Sequence, residues 1–250
     1  MQSKYFTREI KPFITPLSAG QHAAFADGDV LFDWTAFSIP RGSCRLIGAS
    51  VEIRPKGNAN ADPNIFPLEL LFARPMNKKA PGSLGALNSP AANPTQIYSH
   101  TDTFLGHMPI VAGDFADTDP LACASAAAPL GMVFEGDMDV RGTVGYNAWD
   151  KIYVGGIAGG AIDLTSLTRI NAGDLDGPTY TVNGTDPRLH FAQGDTLYAT
   201  ASGSAIQLVT GTILTMGDTW IQMTSSGVAL SNADFIYNAY PIRIVLTFEK

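Results

Sequence analysis

Hydrophobic and polar positions alternate most cleanly in two runs near opposite ends of the chain. In the stretch from Ile39 to Arg54, the residues Ile47, Ala49, Val51 and Ile53 fall on one face. Ser50, Glu52 and Arg54 fall on the other, which is the two-residue period of a half-buried strand. Pro40 and Gly42 punctuate its start, and Pro55 followed by Lys56, Gly57 and Asn58 stops it. The second run closes the chain, with Ile242, Ile244, Leu246 and Phe248 alternating with Arg243, Thr247 and Glu249. Two such strands predict one β-fold tied together by its ends, the Val51 face meeting residues 242–248.

Between them the pattern is of short strands. Phe66, Leu68, Leu70 and Phe72 point to one face of a strand over 66–74, with Pro67 marking an edge or bulge at its start. Further strands are predicted near 97–101, over 161–170 and, more clearly, over 179–182, 188–191, 196–200, 205–209 and 219–223. Gly, Asp, Asn and Ser separate them at intervals of about 8 to 12 residues, the signature of a sandwich or jelly roll. No helical pattern alternates with the strands, so parallel βαβ construction is disfavoured. One short helix is predicted within Asp119 to Met132, where an Ala-rich run ends at Pro129. Residues 1–24 have no sustained period and carry Pro12 and Pro16 among Phe13, Ile14 and Leu17. They read as an extended N-terminal arm whose apolar residues need cover from their own domain or from a neighbouring subunit. The expectation is therefore an all-β, antiparallel β-sandwich or jelly-roll-like fold with at most one or two short helices. It comprises an arm over 1–24 and a single domain over 25–250, with a long loop insertion near 75–95.

A Gly-Asp pair recurs at 28–29, 113–114, 136–137, 173–174, 194–195 and 217–218. Gly supplies positive φ and Asp caps a local turn through its own carboxylate, so these read as turn corners. The alternative is structural calcium, held by carboxylates such as Asp114, Asp117 and Asp119 or Glu135, Asp137 and Asp139. No loop has EF-hand spacing, and Gly155 to Gly160 is only distantly similar to a glycine-rich calcium repeat. No specific motif supports calcium, and no other cofactor is implied.

Composition narrows the function classes. Charged residues make up 16% of the chain, against about 25% in an ordinary soluble domain. Its surface must be covered largely by small and uncharged side chains, as suits a protein packed against others. The net charge of −7 removes the basic footprint of a nucleic-acid binder. No apolar run approaches a membrane span, and the first residues lack the apolar core of a signal peptide. Cys44 and Cys123 are too few for a disulfide scaffold or a zinc cluster and read as free thiols. His22, His100, His107 and His190 lie far apart without metal-ligand spacing, and no Gly-x-Ser-x-Gly elbow is present. No catalytic residues are assigned, and a non-enzymatic role is expected. Among the aromatics, Trp34 and Trp220 sit in strand contexts, whereas Tyr146 and Trp149 lie in a Gly- and Asn-rich loop and form the candidate exposed contact loop.

Three stretches carry a family resemblance. Residues 25–51, which begin Phe-Ala-Asp-Gly-Asp-Val-Leu-Phe-Asp-Trp, resemble the opening of virion structural proteins of tailed bacteriophages, particularly marine ones. Residues 184–199, with Arg-Leu-His-Phe-Ala-Gln-Gly-Asp-Thr-Leu-Tyr, and the terminal Pro-Ile-Arg-Ile-Val-Leu-Thr-Phe-Glu-Lys are similar to later parts of the same proteins. Residues 57–150 are poorly covered. The resemblance implies a capsid decoration or cement protein, made in the host cytoplasm and carried on the capsid surface of the virion. Its implied partners are the major capsid protein and further copies of itself, for example in a trimer. On that reading Pro12, Phe13, Ile14, Pro16 and Leu17 contact a partner, and loops around 75–95 and 143–150 face outward. The rival expectation is a glycan- or host-recognition module, or a tail or baseplate component.

Overall fold

The computed structural model describes residues 4–14, 25–40, 42–53, 65–75, 80–87, 89–90, 103–117, 122–128, 132–135, 151–161, 169–171, 178–183, 186–200, 206–224 and 234–250. These build an all-β protein with antiparallel sheets. Its first strands are β1 (Tyr5–Ile10), β2 (Val30–Ser38), β3 (Ser43–Ile53), β4 (Leu68–Ala73) and β5 (Phe104–Ile110). They are followed by β6 (Phe115–Asp117), β7 (Ala122–Ala127), β8 (Val133–Glu135) and β9 (Lys151–Ala158). A second group comprises β10 (Arg169–Ile170), β11 (Thr179–Asn183), β12 (Thr196–Thr200), β13 (Ile206–Met216), β14 (Trp220–Met223) and β15 (Phe235–Asn238). The chain ends in β16 (Ile242–Glu249). Two 3-10 turns, Ala112–Asp114 and Pro187–Leu189, are the helical elements among the described residues.

One sheet runs β1-β16-β3-β7-β6, with β8 pairing the first residues of β3 beside β7, and the other runs β2-β9-β4-β5. Their inner faces share one core. Phe134 of the first sheet lies 5.3 Å from Phe72 of the second and 5.6 Å from Phe248, so the rings bridge the layers. The alternation at both ends of the chain holds: Ile242, Ile244, Leu246 and Phe248 are all buried, and Ile244 lies opposite Val51. Phe66, Leu68, Leu70 and Phe72 are buried as their spacing predicts.

Within the stretch expected as one sandwich, the described residues between 169 and 238 form a separate structure. Strands β10-β11-β14-β13-β12-β15 close into a six-stranded barrel, inserted between β9 and β16. It has its own core of Ile170, Tyr180, Leu197, Ile213, Ile221 and Ile236 with their neighbours. A barrel this narrow is filled by its own side chains.

Four local expectations are corrected. The strand expected over 188–191 is instead a 3-10 turn, Pro187–Leu189, which Asp186 caps by accepting the Arg188 amide and which leaves His190 and Phe191 outside any strand. Ile47 does not share the Val51 face, because β3 carries a bulge there: Thr247 pairs with Gly48, but Phe248 pairs with Leu46. The extra residue switches parity, so Cys44 and Leu46 are buried before it and Ala49, Val51 and Ile53 after it. The helix predicted within 119–132 is instead β7, paired with β3 from Gly48–Ala127 to Ile53–Ala122. Alanine's helix preference loses to the sheet because Ala122 and Ala124 are buried in the core while β3 satisfies the backbone. The long loop does not project outward at its described residues. Trp34 Nε1 donates to Gly82 O (2.8 Å), Leu84 N donates to Asp33 Oδ1 (3.0 Å), and Val30 N donates to Ser89 O (2.9 Å). Leu84 is buried, so the loop straps the edge strand β2 and shields its unpaired backbone.

The glycine-rich run at 155–160 is likewise structural in its described part. Gly156 lies in β9 under the Phe32 ring, where a Cβ would come within 2.1 Å of a ring carbon. No cluster of three or more metal-ligating side chains occurs among the described residues. Asp119, Asp137 and Asp139 lie outside them, as do the strand expected near 97–101 and most of the one expected over 161–170.

Two of the Gly-Asp corners prove to be the same structure used twice. Phe25-Ala-Asp-Gly-Asp29 opens β2, and Phe191-Ala-Gln-Gly-Asp195 opens β12. In each, the Ala amide donates to the Asp carboxylate, at 2.7 Å for Ala26–Asp29 and 2.8 Å for Ala192–Asp195. The Asp amide returns a bond to the Ala carbonyl, at 3.1 Å in both. The intervening Gly28 and Gly194 sit at φ +84° and +88°, the left-handed region that favours glycine. Each glycine amide then donates to the adjacent strand, to Ala158 O and to Ile213 O, and each partner's amide donates back to the corner Asp carbonyl. Phe25 and Phe191 are buried, one in each core.

Candidate functional site

The second corner opens onto a cleft of about 310 Å³ where barrel and sandwich meet. Its barrel wall is Gly194, Asp195 and Thr196, and its sandwich wall is Lys11, Glu52 and Arg243. Tyr240 and Pro241, on the crossing from β15 to β16, complete it. Backbone bonds fix the walls: Ile14 N donates to Ala239 O (3.2 Å), and Ala239 N donates to Thr196 O (2.9 Å). Asn238 joins them through its side chain, donating to Asp195 Oδ2 (2.8 Å) while its own oxygen accepts the Tyr240 amide (2.9 Å).

Strand register delivers the charges. Glu52 of β3 and Arg243 of β16 are direct cross-strand partners on the outward face of their sheet. Arg243 donates to Glu52 Oε1 (2.7 Å) and to Glu9 Oε2 (2.9 Å), and Lys11 Nζ lies 3.3 Å from Glu9 Oε1. The hydrogen bond from Arg243 holds the Glu9 carboxyl below the usual carboxylate range, and the bonds to Glu9 and Glu52 push the guanidinium pKa up. Glu9 is thus kept ionised as an acceptor. The lining carries two cations and two anions and is close to neutral as a whole.

Beside the charges stands an aromatic group. The Phe13 ring packs on Tyr198 at 5.1 Å and meets Tyr240 edge-on at 5.9 Å. Tyr198 is half-buried, and that burial raises its phenol pKa. Phe13 and Tyr240 remain 38% and 37% exposed, so part of each ring faces water. Such rings present a flat apolar surface next to polar groups.

The partner-contact residues expected from the sequence separate here. Pro12 and Ile14 are buried within their own molecule, and residues 5–10 just before them are an edge strand paired with β16. Phe13 keeps exposed surface, and its ring packs against Tyr240 of the cleft. Pro16 and Leu17 lie outside the described residues, as do Tyr146 and Trp149 of the expected contact loop. Of the histidines, His107 is exposed and 2.9 Å from Glu69, His190 is buried, and His22 and His100 lie outside the described residues. Cys44 is buried, which raises its thiol pKa to about 11.

The cleft residues Lys11, Glu52, Asp195, Tyr240 and Arg243 carry no local motif that marks them as a group. Comparison with protein-family models and with curated proteins returned no match.

Proposed function

We propose that the chain is a non-enzymatic structural component of a tailed-phage particle, binding the assembled capsid as a decoration or cement protein. The resemblance of residues 25–51, 184–199 and 241–250 motivates this reading. Two of these stretches supply β3 and β16, which pair with each other, and the third supplies the corner that faces Arg243 across the cleft.

The observation that carries the reading is the outward face of the first sheet. Thr7, Thr247, Gly48 and Ala127 lie side by side across four strands, and Val245, Ser50 and Ser125 form the next row, which ends at Glu9 on the edge strand. Apart from Glu9, which is paired with Arg243, these residues are uncharged and mostly small. The ions of the face sit toward its ends in neutralising groups, Lys4 and Arg45 on Glu249 and Arg243 on Glu9 and Glu52. The centre of a protein interface is depleted of charge in this way, with polar groups confined to its rim. A face of this kind suits lateral contact with another folded protein surface, at little cost in desolvated charge.

A protein that binds assembled shell but not free subunits stabilises the shell by mass action, and repetition over the particle multiplies the effect. Electron microscopy of intact particles with a labelled antibody against this chain tests the proposal. Label on the capsid is the expected result. Label confined to the tail, or none on the particle, defeats the cement reading.

A further inference from the structure

We infer that the cleft between barrel and sandwich binds a neutral pyranose sugar, its ring stacked on Tyr240 and its hydroxyl groups held by Asp195, Glu52 and Lys11. The inference rests on the cleft and not on placement in a virion, so either can fail without the other.

Three observations select this ligand class. The first is size: about 310 Å³ lies at the lower end of small-ligand pockets, which run from roughly 300 to 1,000 Å³. The second is charge. Lys11 and Arg243 are matched by Glu52 and Asp195, and Arg243 is already held by two carboxylates, so neither an anionic nor a cationic ligand meets an uncompensated field. A sugar hydroxyl both donates and accepts, and a wall that mixes carboxylate acceptors with an ammonium donor serves both roles at once. The third is the Tyr240 ring, which lines the cleft, is 37% exposed and packs against Phe13 at 5.9 Å. The C–H face of a pyranose covers such a ring, while its equatorial hydroxyls reach the polar rim.

An extended peptide is the rival occupant, and the backbone argues against it. Strand addition needs unpaired main-chain groups at the site. Here Thr196 O already accepts from Ala239 N, and Gly194 N already donates to Ile213 O. Recognition must therefore run through side chains.

The test is saturation-transfer NMR on the full chain with the methyl glycosides of glucose, galactose, mannose and N-acetylglucosamine, and with tetra-alanine as the peptide probe. Saturation is expected to reach the ring protons of at least one glycoside, to be lost in Tyr240→Ala and to persist in Tyr240→Phe. Should Tyr240→Ala fail to fold, Lys11→Ala takes its place, since the Lys11 side chain is 55% exposed; a several-fold weaker signal is expected. The proposal is overturned if no glycoside receives saturation, if the signal survives unchanged in both Tyr240→Ala and Lys11→Ala, or if tetra-alanine alone responds.

Discussion

The corners at 25–29 and 191–195 share sequence, hydrogen bonds and the sign of φ, yet they end in different surroundings. The first is sealed. Asp29 is 6% exposed, Pro90 bridges to it, and the strap from the long loop continues over Val30. The second is open, with Gly194 exposed and Asp195 half-buried at the edge of the cleft. Local chemistry thus sets the turn, whereas tertiary cover decides whether that turn serves only as scaffold. The loop over 80–90 does for the sandwich corner what no described segment does for the barrel corner, and the cleft is the result.

The largest expected effect tests whether the two cores are as separate as the two corners are alike. Val51 is fully buried between Ile244 and Ala124. Placing a carboxylate there costs several kcal/mol, a large share of the roughly 5–15 kcal/mol that holds a domain together. Val51→Asp should abolish soluble protein. Ile221→Asp does equal damage to the barrel core, but its effect should stay there. Amide hydrogen exchange is expected to show lost protection in β12 and β14 with β3 and β16 still protected. Loss of protection in all four strands would mean that the barrel and sandwich unfold as one unit.

A smaller effect separates the corners themselves. Asp29→Ala removes a buried carboxylate together with the cap it gives the Ala26 amide and should cost about 2 kcal/mol, because the space it leaves lies under the strap. Asp195→Ala should cost about 1 kcal/mol, since water can replace the lost acceptor at the open corner. Gly28→Ala and Gly194→Ala provide the control. A Cβ would meet nothing within 4 Å at either glycine, so both carry only the left-handed backbone penalty of about 1 kcal/mol. Urea unfolding checks all four. Equal losses for the two aspartates would show that the strap contributes nothing to the corner.

These contrasts also explain what the sequence could disclose. Strands β3, β4 and β16 were legible because burial on one face imposes a period of two. The parity change at Ile47 was not, since a bulge is a property of the pairing with Thr247 and Phe248 rather than of β3 alone. Ala122–Ala127 misleads because helix preference is local and the pairing with β3 is not. The barrel hides for a similar reason: short strands bounded by Gly and Asp look alike whether their sheet closes or stays open. The cleft is the least legible feature of all. Its walls come from positions 11, 52, 194–196, 240, 241 and 243, and tertiary pairings such as the Glu52–Arg243 register and the Ile14–Ala239 and Ala239–Thr196 bonds bring them together.

The gentlest contrast is one of pH, and it begins at the residue just before each corner. Ala24 precedes Phe25, whereas His190 precedes Phe191. His190 is 3% exposed, neither ring nitrogen has a hydrogen-bond partner among the described residues, and its ring meets Phe191 edge-on. Burial lowers its pKa from the usual 6.5, with the nearby Asp186 carboxylate opposing the shift. The unfolded chain therefore takes up the proton first as pH falls. Stability linked to His190 is whole above about pH 6.5 and declines as pH drops through that value toward the lowered folded pKa. Asp186 acts in a separate window: its hydrogen bond from Arg188 depresses its pKa below 3.8, so its contribution is lost only in stronger acid. Barrel strands should accordingly lose hydrogen-exchange protection between about pH 7 and pH 5, the range in which histidine titrates. His190→Ala gives the second corner the residue of the first and should flatten that dependence, even if the space it leaves lowers stability at every pH. An unchanged slope in His190→Ala would place the acid sensitivity elsewhere and remove this distinction between the corners.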